Sequence, residues 1–224
     1  MLIESHLLSA PVLLAASVLA LLALGGALAL RPWRGWLDDP ERRVVWVASL
    51  VLLGAVWSLR AGFVPGLSQR FLLVTACVLL HGWALTIAGA ALVLAALSLA
   101  GVAEWASFGP NLLCTAVVPA LFAARLHELV HRRLPRNYFV YFFVSVFLGA
   151  ALAWNLAALA RGLLLVLSGQ PALEPDAGAD YLALLPLMSF GEAFINGMLV
   201  ATAAVYRPRW VMSFDDRAYL GGRS

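Results

Sequence analysis

No charged residue occurs between Leu7 and Leu30, a run of 24 positions. The same holds for the 31 positions from Phe71 to Gly101 and the 23 from Tyr138 to Ala160. A helix needs about 20 apolar residues to cross a hydrocarbon core about 30 Å thick, so these runs commit the chain to lipid. Composition agrees: 63% of the 224 residues are hydrophobic and 12% are charged, where soluble domains carry roughly 25% charge. The expectation is an all-α, polytopic membrane bundle forming one domain over residues 1–224. Helices fill 1–206 and a short tail covers 207–224. Neither a soluble domain nor an internal repeat is visible, and nothing points to nucleic acid.

Seven crossings follow from the apolar runs and their breaks. Leu7–Leu30 is the first, and it lacks the basic start of a cleaved signal peptide. Val44–Leu59 is the second, with Arg42, Arg43 and Arg60 able to snorkel to the interfaces. Phe71–Gly101 is too long for one helix, and His81-Gly82 divides it into a short helix and a longer one. A span beginning at Asn111 is read as closing at a basic loop from Arg125 to Arg136. Spans from Tyr138 and from Tyr181 to Tyr206 complete the set. Four Arg lie in 31–43, four in 125–136 and four after Tyr206, whereas 102–110 and 169–180 hold none. Basic connections stay on the cytoplasmic side, which places the N-terminus outside and the C-terminus in the cytoplasm, in a bacterial inner membrane.

Small residues recur at four-residue spacing at Ala16, Ala20 and Ala23/Ala27, and again at Gly149, Ala153 and Ala157. Such spacing lets helix backbones approach closely. Cys77 and Cys114 fall inside apolar runs and read as buried free thiols.

Ionisable and amide groups inside a membrane are the pointers to function. Glu192 sits near the middle of the last span, where a carboxylate costs about 2.5–3.5 kcal/mol unless neutralised or paired. Asn196 is one helical turn further on the same face. Two readings stand: together they hold a cation or a proton, or Glu192 is a protonated group bonded to a neighbouring helix. Asn111, after Gly109-Pro110, either lines an outward cavity or caps its helix. His6, near the outer surface, is either a metal ligand or idle.

His127-Glu128-Leu129-Val130-His131 spells the H-E-x-x-H pattern, which puts two imidazoles and a carboxylate together as zinc hydrolysis requires. Arg132 and Arg133 follow at once and oppose a dication, and no third-ligand motif comes after them. A charged helix end entering the cytoplasm is the plainer reading, with an intramembrane zinc hydrolase as the alternative. No G-x-x-x-x-G-K-[ST] element is present, so any ATPase is a separate chain.

Three stretches, P-G-L-S-Q-R-F-L-L at Pro65–Leu73, F-G-P-N-L-L-C-T-A-V-V-P at Phe108–Pro119 and the ending from Leu185-Pro186 through Asn196-Gly197, resemble the CbiM/NikM-type permeases. These are the substrate-capture components of energy-coupling-factor transporters for cobalt or nickel. L-P-R-N-Y-F-V-Y-F-F and F-G-E-A-F-I-N-G-M are similar to a proteobacterial branch of that family. The resemblance implies a non-enzymatic permease, with a transition-metal ion as possible cargo rather than cofactor. It also implies a transmembrane coupling subunit and cytoplasmic ATPase subunits as partners. The family binds its metal through the amino terminus and a His at position two, with a second His after the proline-glycine turn. This chain has Leu2 and Arg70 at those places. A guanidinium does not ligate a metal, so the nitrogen-rich site is expected to be missing. Either a metal is held differently, with His6, Glu192 and Asn196, or Arg70 receives an anionic solute. A membrane scaffold or assembly factor without transported solute is the other class considered.

Overall fold

A computed structural model describes residues 2–30, 33, 39–59, 71–135, 137–170 and 178–214. Among these, seven helices and no strand are present: α1 (Ala10–Ala29), α2 (Pro40–Ser58), α3 (Val74–His81), α4 (Trp83–Leu99), α5 (Phe108–Arg133), α6 (Tyr138–Leu167) and α7 (Gly178–Tyr206). The helices α1, α5 and α6 and the Leu185–Tyr206 part of α7 are long and apolar enough to cross a membrane; α4 is a shorter apolar helix. The protein is a multi-pass membrane protein.

The expected break between α3 and α4 falls where the sequence put it. Gly82 has φ +83°, a conformation that costs an L side chain energy and glycine nothing. Its N–H donates to Val78 O and its carbonyl accepts from Thr86, so one residue turns the chain from α3 into α4.

Two boundaries differ from expectation. The basic segment read as a loop from Arg125 is helix as far as Arg133. Glu128 pairs with Arg132 at 2.6 Å and with Arg125 at 3.7 Å, one turn away on either side, so the charges support the helix. Leu134, extended because Pro135 follows, ends it. The second helix starts at Pro40, a turn before Val44, because Asp39 Oδ1 accepts the amides of Glu41 and Arg42.

The small-residue faces point inward. Ala16, Ala20 and Ala27 are buried, and α1 packs on α4 and α5. Gly109 of α5 touches Ser17 of α1 so closely that an added Cβ would overlap the Ser17 Cα. Ala153 and Ala157 are likewise buried where α6 meets α5 and α7. Helices α5 and α6 each carry a π-helical stretch, Leu113–Val117 and Tyr141–Leu148. Cys77 and Cys114 are buried free thiols, as expected.

At the centre lies α3. Its eight residues extend about 12 Å, far short of a membrane. Every residue from Val74 to Leu79 is buried, with α4, α5, α6 and α7 packed around it.

Candidate functional site

A short helix buried on all sides has an acute version of a general problem. Its first N–H groups and last C=O groups have no partner inside the helix, and most of its residues are buried away from the surface. The chain solves this with groups from α7 and the segment beyond it. Glu192 Oε2 accepts the amide of Leu72 at 2.8 Å, and Oε1 accepts that of Leu73 at 2.7 Å. Asn196 Oδ1 accepts the amide of Ala76 at 2.8 Å, while Asn196 Nδ2 donates to Glu192 Oε1 at 2.8 Å and to Glu192 O at 2.7 Å. Glu192 is 1% exposed and Asn196 fully buried.

All three contacts to the Glu192 carboxyl come from N–H donors, so it accepts three hydrogen bonds and donates none. That pattern suits the carboxylate, set against the positive end of the α3 dipole. Bonds to a charged acceptor are worth about 1.5–3 kcal/mol each, and together they offset much of the cost of burying a carboxylate among apolar helices. The backbone it grips is unusual: Leu73, with φ +55°, is the one non-glycine residue with positive φ among those described. The left-handed region costs a leucine about 1–2 kcal/mol. Trp57 Nε1 on α2 completes the hold, donating to Leu72 O at 3.2 Å.

The far end of α3 is closed by a strap, residues 207–214, that continues from α7. Ser213 N–H donates to Leu79 O and Met212 N–H to Leu80 O. Tyr141 and Ser213 share a hydroxyl hydrogen bond of 2.8 Å, and Trp210 Nε1 reaches Glu41 Oε1 on α2 at 2.6 Å. One helix and its continuation therefore cap α3 at both ends.

A second clamp fixes the N-terminal segment. Asn111, fully buried, accepts the Ile3 amide on Oδ1 at 2.6 Å and donates from Nδ2 to Ile3 O at 3.0 Å. The same Nδ2 donates to Ser107 Oγ at 3.0 Å. Asn111 thus grips another part of the chain as a strand would. Leu2 then packs against the central core cluster. Outside this clamp, Ser5 N–H donates to Glu104 Oε2 at 2.7 Å, and exposed His6 stands 3.6 Å from Glu4.

Of the sequence candidates, Glu192 and Asn196 are together and Asn111 stands in a separate clamp. His6 is at the surface beside Glu4, whereas Glu192 is spent on α3. Arg70 lies outside the described residues. No group of three His, Cys, Asp or Glu side chains suited to a metal forms among the described residues. His127 and His131 do share one face of α5, with ring centres 6.2 Å apart, but Glu128 is held by Arg125 and Arg132. Sequence reasoning passed over Trp57, for which no motif gave a signal, and read His81 as a turn residue on the same side of the membrane as the H-E-x-x-H segment. His81 is buried with Nε2 2.9 Å from Ser49 Oγ, whose own proton goes to Val45 O.

Chemically, the arrangement around α3 is a preformed cradle of amide donors already filled by an internal carboxylate. It can position α3 and the chain entering it, and any shift of α7 would have to break that hold. In comparison with known proteins, the family described as "Cobalt uptake substrate-specific transmembrane region" matches residues 3–210. No curated protein matches the chain.

Proposed function

We propose, because the chain belongs to the CbiM family of cobalt-uptake transmembrane regions, that it is the membrane-embedded solute-capture subunit of an energised uptake system. The observation that carries this reading is the clamp of Asn111 on Ile3, which draws the N-terminal segment into the bundle. That segment supplies the metal ligands in the permeases the chain resembles. Here it delivers an aliphatic Leu2 instead of an imidazole, so the solute is bound without the usual nitrogen set. Glu192 and Asn196 serve as positioning residues: they fix Leu72, Leu73 and the start of α3. From the sequence, Arg70 is the candidate to receive an anionic solute, since its guanidinium keeps a permanent positive charge.

In this reading the N-terminus faces outward and the Arg-rich connections face the cytoplasm. A separate transmembrane coupling subunit and ATPase subunits supply the energy. Labelling of single cysteines at 104 from outside, and at 33–38 from inside, tests the orientation. Calorimetric titration of protein with its native N-terminus tests the solute. Nickel and cobalt should show no tight stoichiometric binding, and tight binding abolished by blocking the amino terminus would sink the proposal.

One observation favours a second reading, a scaffold or assembly factor with no transported solute. The polar groups of Glu192, Asn196 and Asn111 are engaged within the chain, largely by backbone. Co-purification from native membranes separates the two. Capture subunits bring ATPase chains with them and their deletion reduces solute uptake; a scaffold brings other partners and leaves uptake intact.

A further inference from the structure

At the end of the bundle that carries Arg42, Arg43, Arg207 and Arg209, a cavity of about 300 Å³ opens between the end of α1, the start of α2, the α3–α4 elbow and the strap. Its surface is mostly apolar, with Leu30, Leu80 and Met212 among its walls. Two indole rings, Trp83 and Trp210, add amphipathic surface, and Trp210 is fixed by its bond to Glu41. Among the described residues the one guanidinium on the wall is Arg42, about half exposed (48%), with its Nε 3.4 Å from Asp39 Oδ2. Leu30, on the wall, is itself 61% exposed, so the apolar lining reaches the outer surface.

A cation at the rim, indoles beside it and an aliphatic interior form the chemistry of a lipid-binding cleft. Tryptophan rings settle at the level of lipid headgroups, and basic pockets between membrane helices collect anionic headgroups. A free soluble anion would match Arg42 but would leave the apolar walls without a partner. We propose that this cavity binds an anionic glycerophospholipid, its phosphate on Arg42 and the first part of an acyl chain against the walls. A bound lipid would also brace Met212, whose amide caps α3. The inference rests on the membrane location alone and is independent of what the protein transports.

The test is native mass spectrometry of the purified, delipidated protein titrated with phosphatidylglycerol or phosphatidylcholine of identical chains. Three variants are compared: Arg42→Gln, Arg43→Gln as a charge-matched control, and Ala84→Leu, which adds bulk at the cavity wall. Phosphatidylglycerol should be retained roughly fivefold better than phosphatidylcholine, the order of effect one guanidinium supplies at an anionic lipid. Arg42→Gln and Ala84→Leu should abolish that preference and Arg43→Gln should keep it. Inorganic phosphate in excess should leave the lipid bound. Equal retention of the two lipids, equal behaviour of the Arg42 and Arg43 variants, or displacement by phosphate would each overturn the proposal.

Discussion

Glu192 Oε1 lies 2.7 Å from the amide nitrogen of Leu73, the residue whose left-handed backbone starts the central helix. A leucine keeps that conformation only where its surroundings over-determine it. The carboxylate on one side and the indole of Trp57 on the neighbouring carbonyl provide the constraint.

Glu192→Gln is therefore not a silent change of charge. Glutamine offers one oxygen where the amides of Leu72 and Leu73 each use a separate one. One amide is left facing an NH2 group, at a cost of about 1–3 kcal/mol. Glu192→Ala, which leaves both amides bare, should cost more. Melting temperatures in detergent should fall in the order wild type, Gln, Ala, with uptake falling in parallel. A Gln variant of native stability without activity would instead make Glu192 a solute ligand.

Asn111→Asp keeps the acceptor for the Ile3 amide but removes the donor to Ile3 O and sets a charge against that carbonyl. The N-terminal segment should come free. Hydrogen exchange at Ile3 should rise at least about tenfold, which corresponds to the loss of one buried hydrogen bond worth about 1.4 kcal/mol. Exchange in α6 should not change.

The outer contact of that segment depends on pH. Glu104 is held below the ordinary carboxylate range, first by the backbone hydrogen bond from Ser5, then by a side-chain bond from Ser5 and, less, by His6. Because its folded pKa is depressed, its contribution is present above the unfolded value and fades as pH falls through the folded one. The protection of the Ser5 amide, its exchange rate set against that of an unstructured peptide at the same pH, should thus fall on acidification below the usual carboxylate range. Glu104→Gln should weaken that dependence.

Gly109→Ala should be severely destabilising, because its Cβ would collide with the backbone of Ser17 rather than with a side chain able to move. Overpacking typically costs about 1–3 kcal/mol. Gly162→Ala, with open space around it, is the control and should be neutral or slightly stabilising. Comparison of their melting temperatures decides the point.

The sequence disclosed much of this and concealed a specific part. Apolar run lengths place the helices, and the glycine of His81-Gly82 marks the break between α3 and α4 because that turn needs a residue without Cβ. Glu192 and Asn196 stood out as polar groups one turn apart in a membrane helix. Their partners did not, since those partners are peptide groups at Leu72, Leu73 and Ala76, and a backbone amide has the same letter-code silence everywhere. The left-handed Leu73 was invisible for the same reason: the constraint comes from residues far away in the chain. The run from Arg125 to Arg133 looked like a loop because charge was counted without its spacing, and spacing makes it helix.

The caps of α3 also impose an order on the making of the protein. Glu192 follows Leu72 by 120 positions, and Met212 and Ser213 come later still. A ribosome delivers α3 to the membrane long before it delivers anything that can satisfy the ends of α3. The nascent bundle must therefore carry an open centre until its final helix has been inserted and the strap has left the exit tunnel. A chain that stops before α7 keeps those amides and carbonyls bare, a mark by which quality control could distinguish it from the finished protein.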